Sequence, residues 1–152
     1  MSKNKKIIWF TGQPGSGKTT LSVALQNRLK KTMPEINFIS VDGDDLRDIL
    51  VNKDYSEKGR RKNIETAISI TKFLQSKDFL VIVSLVSPYK DLREDLKNDR
   101  DTMEIYLHTD DIRGKEDFFV KNYEKPTDNF LSINTGLKTI EECVDEILTL
   151  YW

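Results

Sequence analysis

The chain has 152 residues and a formal charge of −1, with 38% hydrophobic and 32% charged residues. That length suits one domain with a real core, leaves no room for a separate specificity domain, and the near-balance of acids and bases disfavours a general nucleic-acid binder. The basic start MSKNKK precedes an apolar run of only Ile7 to Phe10, too short for a signal peptide or membrane span, so a cytoplasmic protein with no membrane partner is expected.

Lys5 to Thr11 reads as a buried first strand, near-continuously apolar as parallel strands tend to be. It runs into Gly12, Gln13, Pro14, Gly15, Ser16, Gly17, Lys18, Thr19 and Thr20, which fit the P-loop pattern of strand, glycine-rich turn and helix start. Gly12, Gly15 and Gly17 let successive N–H groups converge on phosphate oxygens. Lys18 reaches the β and γ phosphates as a point charge, Thr19 holds Mg²⁺, and the helix adds its positive end. ATP with Mg²⁺ is the expected ligand. The helix continues to Lys31, with Leu21, Leu25 and Leu29 at helical spacing, until Met33-Pro34 stops it.

Asn37 to Val41 is a second strand ending in Asp42-Gly43-Asp44-Asp45. Functional residues of an open α/β sheet gather at the carboxyl ends of strands, so these acids should open toward the P-loop crevice. Asp44 or Asp45 could simply cap the next helix, which contains Leu46, Ile49 and Leu50; a catalytic or Mg²⁺-associated role for Asp42 and Asp44 is compatible with that.

Lys53 to Gly59 is polar and reads as a mobile connection. A helix from about Gly59 to Ser76 follows, with Ile64, Ala67, Ile68, Thr71 and Leu74 on one face. Its first turn carries Arg60, Arg61, Lys62 and Asn63. Cations there oppose the helix dipole by roughly a few tenths of a kcal/mol each, so either a solvated charge run or an anionic ligand explains them.

Phe79 to Val83 is a third strand, and Ser84 follows where many P-loop enzymes place a second Mg²⁺-linked aspartate, leaving that work to the acids after strand two. Tyr89 to Asp99 reads as a helix carrying Arg93, and Met103 to Leu107 as strand four. The single histidine, His108, and the single cysteine, Cys143, lie in strand and helix patterns and read first as structural. Thr109 to Asn129 is polar apart from Phe118-Phe119-Val120 and suggests a lid. Its aromatics suit a small core or a base-stacking surface equally. Phe130 to Asn134 is strand five, and Thr139 with Glu142 forms a capping box opening the last helix.

Several motifs in order resemble the adenylylsulfate kinases across nearly the whole chain. They are GQPGSGKTT from Gly12, DGDDLR from Asp42 to Arg47, Tyr55 followed by RRKN from Arg60 to Asn63, and SPYKDLR from Ser87 to Arg93. Tyr123, Glu124 and Pro126 form a further turn, with Asn134-Thr135 beyond. The resemblance implies an α/β, three-layer P-loop NTPase fold with a five-stranded parallel sheet. It also implies transfer of the ATP γ-phosphate to the 3′-hydroxyl of an activated nucleotide, adenylylsulfate first. It would place Arg47, Arg60 and Asn63 on the anionic acceptor, Tyr55 where the family usually has a base-packing phenylalanine, and Ser87, Pro88 and Tyr89 beside the acceptor or transferring phosphate. Asp44 or Asp42 would orient the attacking hydroxyl or the Mg²⁺ waters.

The chain departs from the family in the lid. Leu107-His108-Thr109 runs almost directly into DDIRGKEDFF, the first half of the family's segment being absent; Ile112-Arg113-Gly114 corresponds to what remains, and Phe118 or Phe119 to its base-stacking phenylalanine. Acceptor identity is therefore open to a second nucleotide, such as the cytidine diphosphoramidate used by related capsule-modifying kinases. A non-catalytic nucleotide-binding module is the reading from another class, and assembly as a homodimer is left open.

Overall fold

The computed structural model describes residues 7–50, 52–110 and 120–151. Lys5, Ile112, Arg113, Gly114, Phe118 and Phe119 lie outside the described residues, so the readings that fall on them stay with the sequence.

Five strands, β1 (Ile7–Thr11), β2 (Phe38–Asp42), β3 (Leu80–Ser84), β4 (Thr102–His108) and β5 (Leu131–Asn134), form one sheet in the order β2-β3-β1-β4-β5. Every pairing is parallel. The helices are α1 (Lys18–Thr32), α2 (Gly43–Leu50), α3 (Glu57–Ser76), α4 (Lys90–Asp99) and α5 (Ile140–Tyr151).

The two-residue period of a strand explains how one sheet serves two cores. Ile8 and Phe10 of β1 join Ile82, Ile105 and Leu107 beneath α1 and α5, against Leu21, Leu25, Val144 and Ile147. Ile7 and Trp9, pointing the other way, join Val81, Val83, Ala67 of α3 and Leu96 of α4. Both faces are covered at the centre of the sheet, as the apolar runs of β1 and β3 require. Cys143 is 1% exposed in the first of these cores, in keeping with a packing role.

The chain goes from β1 outward to β2 and, after β3, crosses to β4 on the opposite side of β1. The sheet therefore changes winding direction at β1, and a crevice opens beyond its carboxyl end. The P-loop occupies that crevice mouth.

Helix boundaries follow local chemistry. The capping box of α5 is formed in both directions: Glu142 N–H donates to Thr139 Oγ1 at 3.1 Å and Thr139 N–H to Glu142 Oε1 at 2.9 Å. Helix α3 begins at Glu57, earlier than the charge pattern suggests, because Ser56 caps it by accepting the Gly59 N–H at 3.3 Å. The connection before it is held by side-chain-to-backbone bonds rather than left loose. Asn52 Oδ1 accepts from Asp54 N–H, and Asp54 Oδ1 from Ser56 N–H. Among the described residues no helix is long and apolar enough to cross a membrane.

Candidate active site

Gly12, Gly15 and Gly17 take φ of 155°, 81° and 103°, a region that side chains resist. At Gly12 the reason is also spatial. A Cβ there would stand 2.4 Å from the Leu107 carbonyl oxygen, so the loop can lie this close to the end of β4 only without a side chain. Lys18 crosses its own loop and donates to the carbonyls of Gly12 and Gln13, both at 2.9 Å. Burial lowers its pKa to about 8, against the opposing pull of Asp42 and Asp44.

Asp42, the last residue of β2, links two helix starts. Its Oδ1 accepts the Asp44 N–H at 2.9 Å and its Oδ2 the Thr19 hydroxyl at 3.3 Å. The acid that caps α2 is therefore Asp42, not Asp44 or Asp45. Asp44 is freed of that task and lies exposed at the cleft.

These groups form one wall of a cleft of about 810 Å³, within the size range of small-molecule sites. Pro14, Gly15, Gly17, Lys18, Thr19 and Thr20 line it on the phosphate-loop side, with Asp42 and Asp44 between. Arg47, Tyr55, Arg60 and Asn63, carried by α2, the connection after it and the start of α3, line it on the β2 side, and Ser87 and Pro88 line it beyond the end of β3. The Arg47 guanidinium lies 5.9 Å from the Tyr55 ring centre, and Tyr55 is 59% exposed, leaving most of its ring accessible. Asn52 Nδ2 donates to Asn63 Oδ1 at 2.9 Å, tying the preceding loop to the α3 residue that faces the cleft.

The basic turn of α3 divides by direction. Arg60 lines the cleft, whereas Arg61 turns away to Asp91, bonding both carboxylate oxygens at 2.9 and 3.0 Å, and lies 4.6 Å over the Tyr89 ring. Neither a solvated run nor an anion site describes Arg61. Tyr89, expected beside the acceptor, is 8% exposed beneath Arg61 and does not line the cleft. Gln13 and Ser16 line a smaller cavity of about 180 Å³ on the β4 side of the loop, shared with Tyr106 and His108.

Ser87 sits at the cleft wall with φ 38°, a strained conformation for a residue with a Cβ. Its hydroxyl accepts from Trp9 Nε1 at 3.0 Å and donates to Thr11 Oγ1 at 3.1 Å. Arg93 holds its carbonyl. Arg93 is 1% exposed and also binds Glu104 at 2.7 Å and the Glu124 carbonyl, so it braces the wall from behind rather than meeting a ligand. Lys97 is the second cation on Glu104, at 2.6 Å.

Sequence patterns gave no sign of a second layer of contacts that fastens residues 120–126 to the loop side. The hydroxyls of Tyr123 and Thr11 lie 2.6 Å apart; since Thr11 gives its own hydrogen to the Val86 carbonyl at 2.8 Å, Tyr123 is the donor. Burial pushes the Tyr123 phenol up to about 12, which keeps that hydrogen in place. Glu124 N–H donates to the Pro88 carbonyl at 2.9 Å, and Glu124 Oε1 accepts the Lys90 N–H at 2.8 Å.

A phosphate-cradling loop at the winding switch of a parallel sheet, with a lysine, a hydroxyl–carboxylate pair and an opposing arginine wall, defines a P-loop phosphotransferase. The chain belongs to the adenylylsulphate kinase family, whose sequence model matches residues 4–139. It is 34% identical to an adenylyl-sulfate kinase of Prochlorococcus marinus over 165 aligned positions, covering 94% of this chain and 81% of that protein. A cytidine diphosphoramidate kinase of Campylobacter jejuni is also 34% identical, over 142 positions covering 88% of this chain and 81% of that one. Among solved structures, the Mycobacterium tuberculosis APS kinase in complex with AMPPNP and APS shares the fold with a TM-score of 0.83 and 22% identity, over 97% of each chain.

Proposed function

We propose that this kinase moves the γ-phosphate of ATP to the 3′-hydroxyl of adenylylsulfate, in the cytoplasm and in the service of sulfate activation. The observation that carries this reading is the two-sided cleft: phosphate-loop groups on one wall and Arg47, Arg60 and Asn63 on the other, with Asp42 and Asp44 between them.

The 3′-oxygen attacks the γ-phosphorus in line, the bond from that phosphorus to the β,γ-bridging oxygen breaks, and ADP leaves. The hydroxyl proton passes to a carboxylate, for which Asp44 is best placed because Asp42 already accepts from Thr19 and from the Asp44 N–H. Little covalent work falls to the protein, so positioning and charge neutralisation dominate. Lys18 balances the β and γ phosphates, while Arg60 and Arg47 meet the acceptor's anhydride. Asn63 and the Tyr55 ring fix its sugar and base. Ser87 shapes the acceptor wall through its backbone turn.

Mg²⁺ fits the donors present. Thr19 Oγ1 and an Asp42 oxygen, 3.3 Å apart, are hard oxygen ligands of the type this ion takes alongside phosphates and water. The buried Ser84 hydroxyl, which has no hydrogen-bond partner among the described residues and belongs to a residue bordering the same cleft, suits a hydrated ion's shell. When bound, Mg²⁺ would draw charge from the β and γ phosphate oxygens.

A second acceptor, cytidine diphosphoramidate, has one specific observation in its favour. The alignment to the Prochlorococcus enzyme takes 165 positions to cover 94% of this 152-residue chain and so opens about 22 gap positions in it, whereas that to the Campylobacter enzyme takes 142 positions to cover 88% and opens about 8. Transfer of labelled γ-phosphate to each acceptor, measured side by side, tests both readings; acceptor-independent ADP release alone would reject them together.

A further inference from the structure

Gln13 occupies the second position of the phosphate loop, yet its side chain is committed elsewhere. Its Nε2 donates to the Val120 carbonyl at 2.8 Å and its Oε1 accepts the Val120 N–H at 2.9 Å. The amide orientation is not in question, because the backbone partners dictate it: an oxygen must face the N–H and a nitrogen the C=O. One side chain thereby fixes a whole residue's main chain, as a strand neighbour would.

We propose that Gln13 is a positioning residue that locks the acceptor-side wall of the cleft to the phosphate loop, an inference that rests on the reaction proposed above. Val120 lines the main cleft, on the segment whose Glu124 N–H is bonded to the Pro88 carbonyl of the same lining, while Gln13 lines the smaller cavity behind the loop. Gln13 therefore reaches the acceptor through Val120 and not directly. The backbone of Gln13 is tied to the catalytic lysine as well: its carbonyl accepts Lys18 Nζ at 2.9 Å and the Ser16 N–H at 3.2 Å. A single residue thus joins the group that handles the transferred phosphate to the wall that faces its acceptor.

The tether also has a register. Thr11 meets Tyr123 and Gln13 meets Val120, so residues 11–13 and 120–123 lie side by side in opposite directions. The Tyr123 and Glu124 contacts hold the downstream end to β1 and to the Pro88 turn. Without Gln13, Val120 would lose the two bonds that fix its peptide groups at the cleft edge. Two neutral hydrogen bonds correspond to roughly a tenfold change in an equilibrium, enough to shift where the wall stands without dismantling the fold.

The test uses the full chain with Gln13→Met, which keeps the length and loses both bonds, and Gln13→Glu, which keeps the acceptor for Val120 N–H and loses the donor to its carbonyl. Amide hydrogen exchange at Val120, the KM for adenylylsulfate, kcat, and ATP affinity are read for each. In Gln13→Met the proposal expects exchange at Val120 to accelerate about tenfold and the acceptor KM to rise by a similar factor, with ATP affinity within about twofold. In Gln13→Glu both should recover as pH falls through the carboxyl's titration, because the protonated acid regains a donor. Should Gln13→Met not fold, that titration carries the test.

Unchanged exchange at Val120 overturns the proposal, as does faster exchange with an unaltered acceptor KM. Equal loss of ATP and acceptor affinity overturns it too, since Gln13 would then serve the phosphate loop alone. If the wild-type chain does not use adenylylsulfate, the proposed substrate has failed and the tether is judged on Val120 exchange by itself.

Discussion

At the scale of single residues, Lys18 makes the sharpest demand. In the proposed reaction it must be protonated to balance phosphate charge, and burial has brought its pKa to about 8 from 10.5. The rate constant kcat/KM for ATP should therefore fall as pH rises through about 8, with the kcat limb displaced upward because bound phosphate favours the cation. Stability runs the other way: between about 8 and 10.5 the folded state holds fewer protons at Lys18 than the unfolded chain, so this residue's contribution grows more favourable with pH. Removing the charge in Lys18→Ala should lower turnover by roughly two to three orders of magnitude. Arg60 belongs to the opposite wall, and Arg60→Ala should raise the acceptor KM by roughly 10- to 100-fold while leaving ATP affinity near its original value. Steady-state kinetics with each substrate varied in turn separate the two; an ATP defect in Arg60→Ala would contradict the division of the cleft.

At the scale of elements, the start of α3 and the loop before it act as one piece. A Cβ at Gly59 would fall 2.3 Å from the Asp54 carbonyl oxygen, so Gly59→Ala must push the loop that carries Tyr55 away from the helix that carries Arg60 and Asn63. The expected result is a higher acceptor KM with an intact phosphate loop, checked by ATP binding on the same variant. The bracing behind Ser87 is a stability matter. Arg93→Ala strips one of two cations from buried Glu104, leaving Lys97, and removes the guanidinium's bonds to the Ser87 and Glu124 carbonyls; urea unfolding should show a loss of about 3 kcal/mol. Lysine would not rescue it, since a point charge cannot span the planar fork that meets three partners.

These elements also show what a sequence can and cannot disclose. β1 and β3 were legible because burial on both faces makes them almost continuously apolar, and the capping box of α5 because its two members are three residues apart. The cap of α2 was misassigned to Asp44 or Asp45. A strand-end aspartate and a cap look alike until the chain direction after Gly43 is known. The α3 turn was read as one basic run, yet Arg60 and Arg61 face opposite ways, which only the packing of α3 against α4 decides. Harder still were pairs such as Thr11 with Tyr123 and Gln13 with Val120, separated by 112 and 107 residues, for which no periodicity exists to be read.

For the molecule as a whole, the parallel sheet places every strand's carboxyl end on one side, and the change of winding at β1 gathers there the P-loop, the Asp42 corner and the Ser87 turn. The apolar layers on either face hold that edge, while the residues proposed to meet the acceptor sit on α2, the 52–56 connection and the start of α3, where sequence can change without disturbing the sheet. That separation explains how one phosphotransferase frame can serve more than one acceptor. In the proposed reaction the cleft joins ATP on the Lys18 wall to an activated nucleotide on the Arg60 wall. The reaction's most direct measurement is the transfer of ³²P from γ-labelled ATP to adenylylsulfate, with the product's label located by nuclease digestion. The predicted result is label on the 3′-oxygen, dependent on added Mg²⁺ and formed roughly 100- to 1000-fold more slowly in Lys18→Ala; label only in free phosphate, or none on adenylylsulfate at any concentration, would contradict it.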